Sequence, residues 1–194
     1  LGMNHVGLVH WDPGGSIKQH FPAIVGDTSS LSSQRIREMY EDSRGDLWIG
    51  TMGGLHVFDR EKQIFQQFHT KHGLLENSVL NIQEDHQGNI WLTTPHGLSK
   101  VDPMSKEVRN YGLKDGIRLR EYWVQTSYKE EDGTLYFGGD GGMIFFHPDE
   151  ILDNPFAPNV LITNFLLFNK VVKPNPEGEL LSQSINHARE IVLP

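Results

Sequence analysis

Residue types able to do chemistry are plentiful in this chain, but few of them are spaced to make a site. Glu41-Asp42-Ser43-Arg44-Gly45 and Glu84-Asp85-His86-Gln87-Gly88 put paired carboxylates ahead of a glycine, as calcium loops do, yet lack the alternating Asp/Asn ligands and distal Glu of an EF-hand. Turn chemistry accounts for them, because an Asp side chain bonds its own backbone and Gly supplies a positive φ. His69 and His72 stand three apart in a polar connector, with no third ligand suggested by the pattern. They read as solvated loop histidines, and no metal is expected. Glu130-Glu131 falls in a turn, where a solvated charged face is the default. There is no G-x-S-x-G, P-loop, H-E-x-x-H or nucleophile–base pair. Cysteine is absent, which removes thiol catalysis, Cys-ligated zinc and disulfides. No catalytic residue and no cofactor is expected.

Composition narrows the partners. A 194-residue chain that is 37% hydrophobic and 22% charged can bury a core and is not disordered. Its formal charge of −8 gives no broad attraction to phosphate backbones or anionic lipid, so nucleic acid is not an expected partner. No run approaches the ~18 apolar residues that cross a bilayer. The opening Leu1-Gly2-Met3-Asn4 is neither an initiator methionine nor a signal peptide, so the sequence reads as a piece of a longer protein.

The elements that must position any site come from a repeat. Arg35-Ile36-Arg37-Glu38-Met39-Tyr40 through Leu47-Trp48-Ile49-Gly50-Thr51 is echoed by Leu80 to Thr94 and, more divergently, by Thr126 to Gly138. Gly54-Leu55, Gly97-Leu98 and Gly142-Met143 keep register, 43 and then 45 residues apart (54 to 97, 97 to 142). Gly7-Leu8-Val9-His10-Trp11-Asp12-Pro13 matches the end of a copy, so one partial repeat precedes three complete ones. Within a repeat, short β-rich runs such as Ile36 to Tyr40, Leu47 to Thr51, Leu55 to Phe58 and Ile64 to Phe68 are separated by turn residues, with no helical period. Four antiparallel strands in about 40–45 residues make a propeller blade. Trp48, Trp91 and Tyr136 share one repeat position, and packing between neighbouring blades is the expected use of their rings. After Pro148, Pro155 and Pro158 the grammar changes. Val160 to Lys170 reads as one strand and Glu190-Ile191-Val192-Leu193 as the start of another. The expected architecture is all-β: blades over 1–148, a linker over 149–158, and the first strands of an immunoglobulin-like β-sandwich over 159–194.

The pattern I-x-x-[IM]-x-E-D-x-x-G-[DN]-[LI]-W-[IL]-[GT]-T-x-x-G-L-x-x-[FV]-D resembles the two-component regulator propeller repeat, and the segment after it is similar to the opening of the Y-Y-Y domain that follows such propellers. The resemblance implies an extracytoplasmic sensor on the periplasmic side of the inner membrane. Its ligand state would pass through the Y-Y-Y domain and a membrane helix to a cytoplasmic histidine kinase. Many such sensors respond to oligosaccharides. A secreted propeller lyase and a protein-interaction propeller are the alternatives.

In propellers, the loops between second and third strands and those joining blades gather at one end of the channel, where ligands sit. Asn4, His5, Met52, His96 and Asp140 fall on the first kind of loop, and Asn77, Arg120, Tyr122 and Trp123 on connectors. Asp140 and Arg120 could bond sugar hydroxyls, and Tyr122 or Trp123 could stack on a pyranose face. Propellers close with about four to eight blades. The remaining blades of a longer chain are therefore expected partners, and the isolated piece is expected either to self-associate, as a homodimer or beyond, or to derive from a proteolysed parent.

Overall fold

The computed structural model describes residues 2–3, 7–118, 121–151, 164–175 and 185. Two compact units divide the chain, Leu1–Ile151 and Leu152–Pro194.

The first unit is a series of antiparallel sheets laid down in chain order. β1 (Gly2–Met3), β2 (Gly7–Trp11) and β3 (Ile17–Phe21) form a three-stranded sheet. β4 (Ile36–Glu41), β5 (Leu47–Thr51), β6 (Leu55–Asp59) and β7 (Ile64–Phe68) form a four-stranded meander. A second such meander follows, from β8 (Asn81–Glu84), β9 (Ile90–Thr94), β10 (Gly97–Val101) and β11 (Val108–Tyr111). The third copy pairs β12 (Tyr122–Lys129), β13 (Leu135–Gly139) and β14 (Gly142–Phe146). Among the described residues it has three strands where the repeat leads one to expect four: after Phe146 the chain enters a short 3-10 turn at Pro148–Glu150, and proline cannot donate to a ladder.

The turn that opens each repeat is built by its acid. Asp42 N–H donates to Asp46 O at 3.0 Å, and Gly45 turns back onto Asp42 O with φ of +83°, a conformation that favours glycine. The Asp42 carboxylate accepts from the N–H groups of Arg44 and Asp46, and its Oδ2 accepts the Trp48 indole N–H at 2.8 Å. Asp85 repeats every part of this with Gln87, Asn89 and Trp91, the indole bond again at 2.8 Å. In the third copy the ring is a phenol and the acid is one methylene longer, with Tyr136 O–H donating to Glu130 at 2.8 Å. In the first two copies one carboxylate thus closes the turn and fixes the ring that packs the blade.

Those rings bind sheet to sheet. Trp48 is buried with Val79, Ile82, Ile90 and Leu92 of the following copy, and Trp91 with Tyr122, Leu135 and Phe137 of the next. Burying such a side chain contributes on the order of 1.5–3 kcal/mol. Leu8 and Phe21 meet Ile49, Phe58 and Phe65 in the same way. Polar ties reinforce the stack: Ser43 donates through its backbone N–H and its hydroxyl to the buried Glu84 carboxylate, at 2.8 and 2.7 Å.

The last sheet keeps the row but not its cover. Tyr128, Tyr136 and Phe145 stand opposite one another across β12, β13 and β14, with Tyr136 and Phe145 stacked at 5.6 Å. Tyr128 is 62% and Phe145 66% exposed, whereas Trp91, in the same row one sheet earlier, is 1% exposed.

In the second unit, β15 (Leu166–Leu167) pairs with β16 (Lys170–Val171). The single strand expected from Val160 to Lys170 is therefore broken. Phe168 and Asn169 adopt φ of +48° and +63°, the two successive left-handed residues of a tight hairpin turn, for which Asn is well suited. Residues 160–163 and 190–193 lie outside the described residues. Among the described residues no helix is long and apolar enough to cross a membrane.

Candidate functional site

Meander topology sorts the loops. Strand-two-to-three loops and blade connectors leave each sheet at the same end, and the acid turns leave at the other. Backbone bonds tie two of these loops to the connector before their own blade. Met52 N–H donates to Arg35 O at 3.1 Å, and Asp140 N–H to Glu121 O at 2.8 Å. In the middle blade the tie is between side chains, His96 Nδ1 to the Glu76 carboxylate.

The candidates occupy different settings at this end. Met52 is 37% exposed, with Arg35 Nη1 against its sulfur at 3.5 Å. Asn77 is exposed, and its Oδ1 accepts from Thr70 N–H, so it shapes the connector. His96 is exposed on the β9–β10 turn. Asp140 is exposed on the β13–β14 turn and lines a surface groove of about 500 Å³ with Arg118, Gly141 and Met143. Tyr122 and Trp123 belong to β12 and not to the connector expected to carry them. Their rings part company. Trp123 is 58% exposed, but Tyr122 is 4% exposed inside the Trp91 cluster, which leaves its face no room to stack on a ligand. Burial pushes the Tyr122 phenol up to about 12, and among the described residues its hydroxyl has no hydrogen-bond partner. Asn4, His5 and Arg120 lie outside the described residues.

Two histidines have roles that spacing alone does not show. His56, fully buried on β6, receives Ser32 N–H at 3.0 Å and the Ser32 hydroxyl at 2.9 Å on Nε2, while Nδ1 faces Ile49 O at 3.3 Å. That arrangement suits the neutral ring, and desolvation lowers its pKa to about 4. His69, expected to be solvated, is half-buried and held between Gly53 O and Gln67 Oε1, both at 2.8 Å. The geometry reflects a latch: two connectors are pinned on their own blades, one by His56 and Gln67 and the next by Ser99 and Asn110. Among the described residues no cluster of His, Asp and Glu is arranged to hold a metal ion.

A larger cavity, about 970 Å³, runs along the outer strand β7 and is lined by Arg44, Arg60, Lys71 and Gln66 among others. It contains none of the candidate residues. Its charges are already paired in part, Arg44 with Asp42 and Arg60 with Glu41.

Sequential four-stranded antiparallel sheets, stacked face to face through a repeated aromatic, are the blades of a β-propeller. Residues 30–53 and 73–96, which cover the two complete blades' connectors and first strands, match the two component regulator propeller family, and the chain carries that family's repeats. It is 32% identical to Histidine kinase P4 of Formosa agariphila over 84% of this chain and 16% of that protein. It is similar to the extracellular domain assigned to a hybrid two component system of B. thetaiotaomicron, with 27% identity, a TM-score of 0.73, and 90% of this chain against 24% of that one covered. The virginiamycin B lyase of Staphylococcus aureus shares the fold alone, at 14% identity and a TM-score of 0.50 over 72% of this chain and 48% of that one. The chain thus spans less than a quarter of the length of the sensor relatives it matches.

Proposed function

We propose that this chain is part of the extracytoplasmic ligand-sensing region of a bacterial two-component sensor. The observation that carries the reading is its likeness, over 90% of its length, to the extracellular domain of a hybrid two component system. In this reading the blades present a ligand surface at the loop end, and a Y-Y-Y-type domain beginning near residue 159 passes the bound state across the membrane to a histidine kinase. The remaining blades belong to the same longer protein. An oligosaccharide is the ligand class that the exposed groups suit: Trp123 offers an open ring face, while Asp140, Arg118, Asn77 and His96 offer hydrogen bonds to hydroxyls. A panel of neutral and acidic oligosaccharides, titrated by calorimetry against the wild-type chain and Trp123→Ala, tests this. Binding that weakens at least tenfold in W123A supports the site. Binding that W123A leaves unchanged places the ligand elsewhere.

One observation favours a second reading, a propeller lyase. An exposed imidazole oriented through Nδ1 by a carboxylate, as His96 is by Glu76, leaves Nε2 free to take a proton. Turnover of virginiamycin B that is lost in His96→Ala would establish this reading over the sensor.

A further inference from the structure

Trp123 is exposed, yet the backbone that carries it is tightly held. Between the pairs Tyr122–Gly139 and Ser127–Phe137, four residues of β12 stand opposite the single residue Gly138 of β13, a large bulge on the innermost strand. Gln125 within it has a left-handed φ of +57°, a conformation that non-glycine residues adopt only when their surroundings impose it. The imposing group is Asn81, at the start of β8 in the preceding blade and fully buried. Its amide nitrogen donates to Trp123 O and to Thr93 Oγ1, each at 2.7 Å, and its Oδ1 accepts from Thr126 N–H at 2.7 Å. Thr126 Oγ1 lies 2.8 Å from Trp123 O and 2.9 Å from Gly138 O, one hydroxyl proton between two acceptors.

We infer that Asn81 is a positioning residue for the ligand surface: it clamps both ends of the bulge and so fixes where Trp123 and the half-open Val124 are presented. This rests on the ligand reading above. The residue type is decisive, because a carboxylate in that place could accept from Thr126 but could not donate to Trp123. The other complete blade makes the point. Glu38 occupies the same register slot, opposite Gly50 as Asn81 is opposite Thr93, and Glu38 is a half-buried acid whose pKa burial raises. Asn81 thus also couples the candidate surface of one blade to the core of its neighbour.

The test uses the full chain labelled with 5-fluorotryptophan, whose four tryptophans are assigned by single Trp→Phe changes. In Asn81→Ala the Trp123 fluorine signal is expected to sharpen and shift, and the Thr126 amide to exchange about two- to tenfold faster, the factor lost with one net hydrogen bond. The Trp91 signal, on β9 beside Asn81, should stay in place. Asn81→Asp should split the effects, moving Trp123 while Thr126 stays protected. If N81A loses the Trp91 signal and so does not fold, the N81D split decides. A Trp123 signal that stays at its wild-type position in a folded N81A, or in N81D, overturns the inference. A wild-type Trp123 signal that no member of the oligosaccharide panel moves would sink the ligand reading, and the positioning role with it, even if the clamp itself is confirmed.

Discussion

At the scale of single residues, the repeat rests on an acid that does two jobs. Burial works to raise the pKa of Asp42, but the Arg44 guanidinium, the Trp48 indole and two backbone N–H groups outweigh it and hold the carboxyl below its usual range. The identity of Trp48 and Trp91 as packing rings is legible from their repeat position. Their bond to Asp42 and Asp85 is less so, because the acid's turn role already explains it. Trp91→Phe keeps most of the packing and removes one N–H, so Asp85 Oδ2 keeps only the Asn89 side-chain donor. A loss of about 1–2 kcal/mol is expected in urea unfolding. His56 gives a pH prediction. Its folded pKa is depressed to about 4 from 6.5, so the unfolded chain binds the proton more readily. The stability contributed by the neutral ring is complete above pH 6.5 and is lost as pH falls through that value toward 4. By pH 5 the loss is about 2 kcal/mol, at 1.36 kcal/mol per unit of displacement. Thermal melts of wild type and His56→Gln at pH 7.5 and pH 5 should converge as the pH drops; a constant gap would contradict the assignment.

At the scale of elements, turn glycines and β-branched or aromatic runs made the strands of the two complete blades readable almost to the residue. β12 was not readable in the same way, since its bulge is set by Asn81, more than 40 positions away in sequence, and local pattern carries no such information. That is also why Trp123 and Tyr122, adjacent in sequence and equally aromatic, could not be told apart as surface and core. The bulge needs its partner strand to approach closely. A Cβ at Gly139 would sit 2.0 Å from Glu121 O, the same carbonyl that receives Asp140 N–H. Gly139→Ala must therefore push β12 and β13 apart, and a loss of about 1–3 kcal/mol is expected, as for other overpacked sites. An unchanged urea midpoint would show that the β12–β13 pairing yields there without cost. The Phe168–Asn169 turn escaped notice because Phe-Asn at the two central positions is a weaker hairpin signal than Asn-Gly.

At the scale of the first compact unit, stacking leaves one repeated row uncovered. Tyr128, Tyr136 and Phe145 occupy the register that β4 to β6 fill with Tyr40, Trp48 and Val57, and that earlier row meets the next blade. The isolated chain is expected to associate through this face at micromolar concentrations. Tyr136→Lys with Phe145→Lys should return sedimentation toward the monomer; wild type that sediments as a monomer throughout would show that the face needs no cover. Blade number and ligand chemistry were not readable from the repeat, because the packing residues recur while the loop-end residues do not. The sensing role requires that this loop end bind a ligand. Hydrogen exchange of the chain with and without a binding oligosaccharide measures it directly: protection is predicted at 52–54, 77–80, 95–96, 121–126 and 140–141, with the acid turns at 42–46, 85–89 and 130–134 unchanged. Protection confined to the acid turns, or along β7, would contradict it.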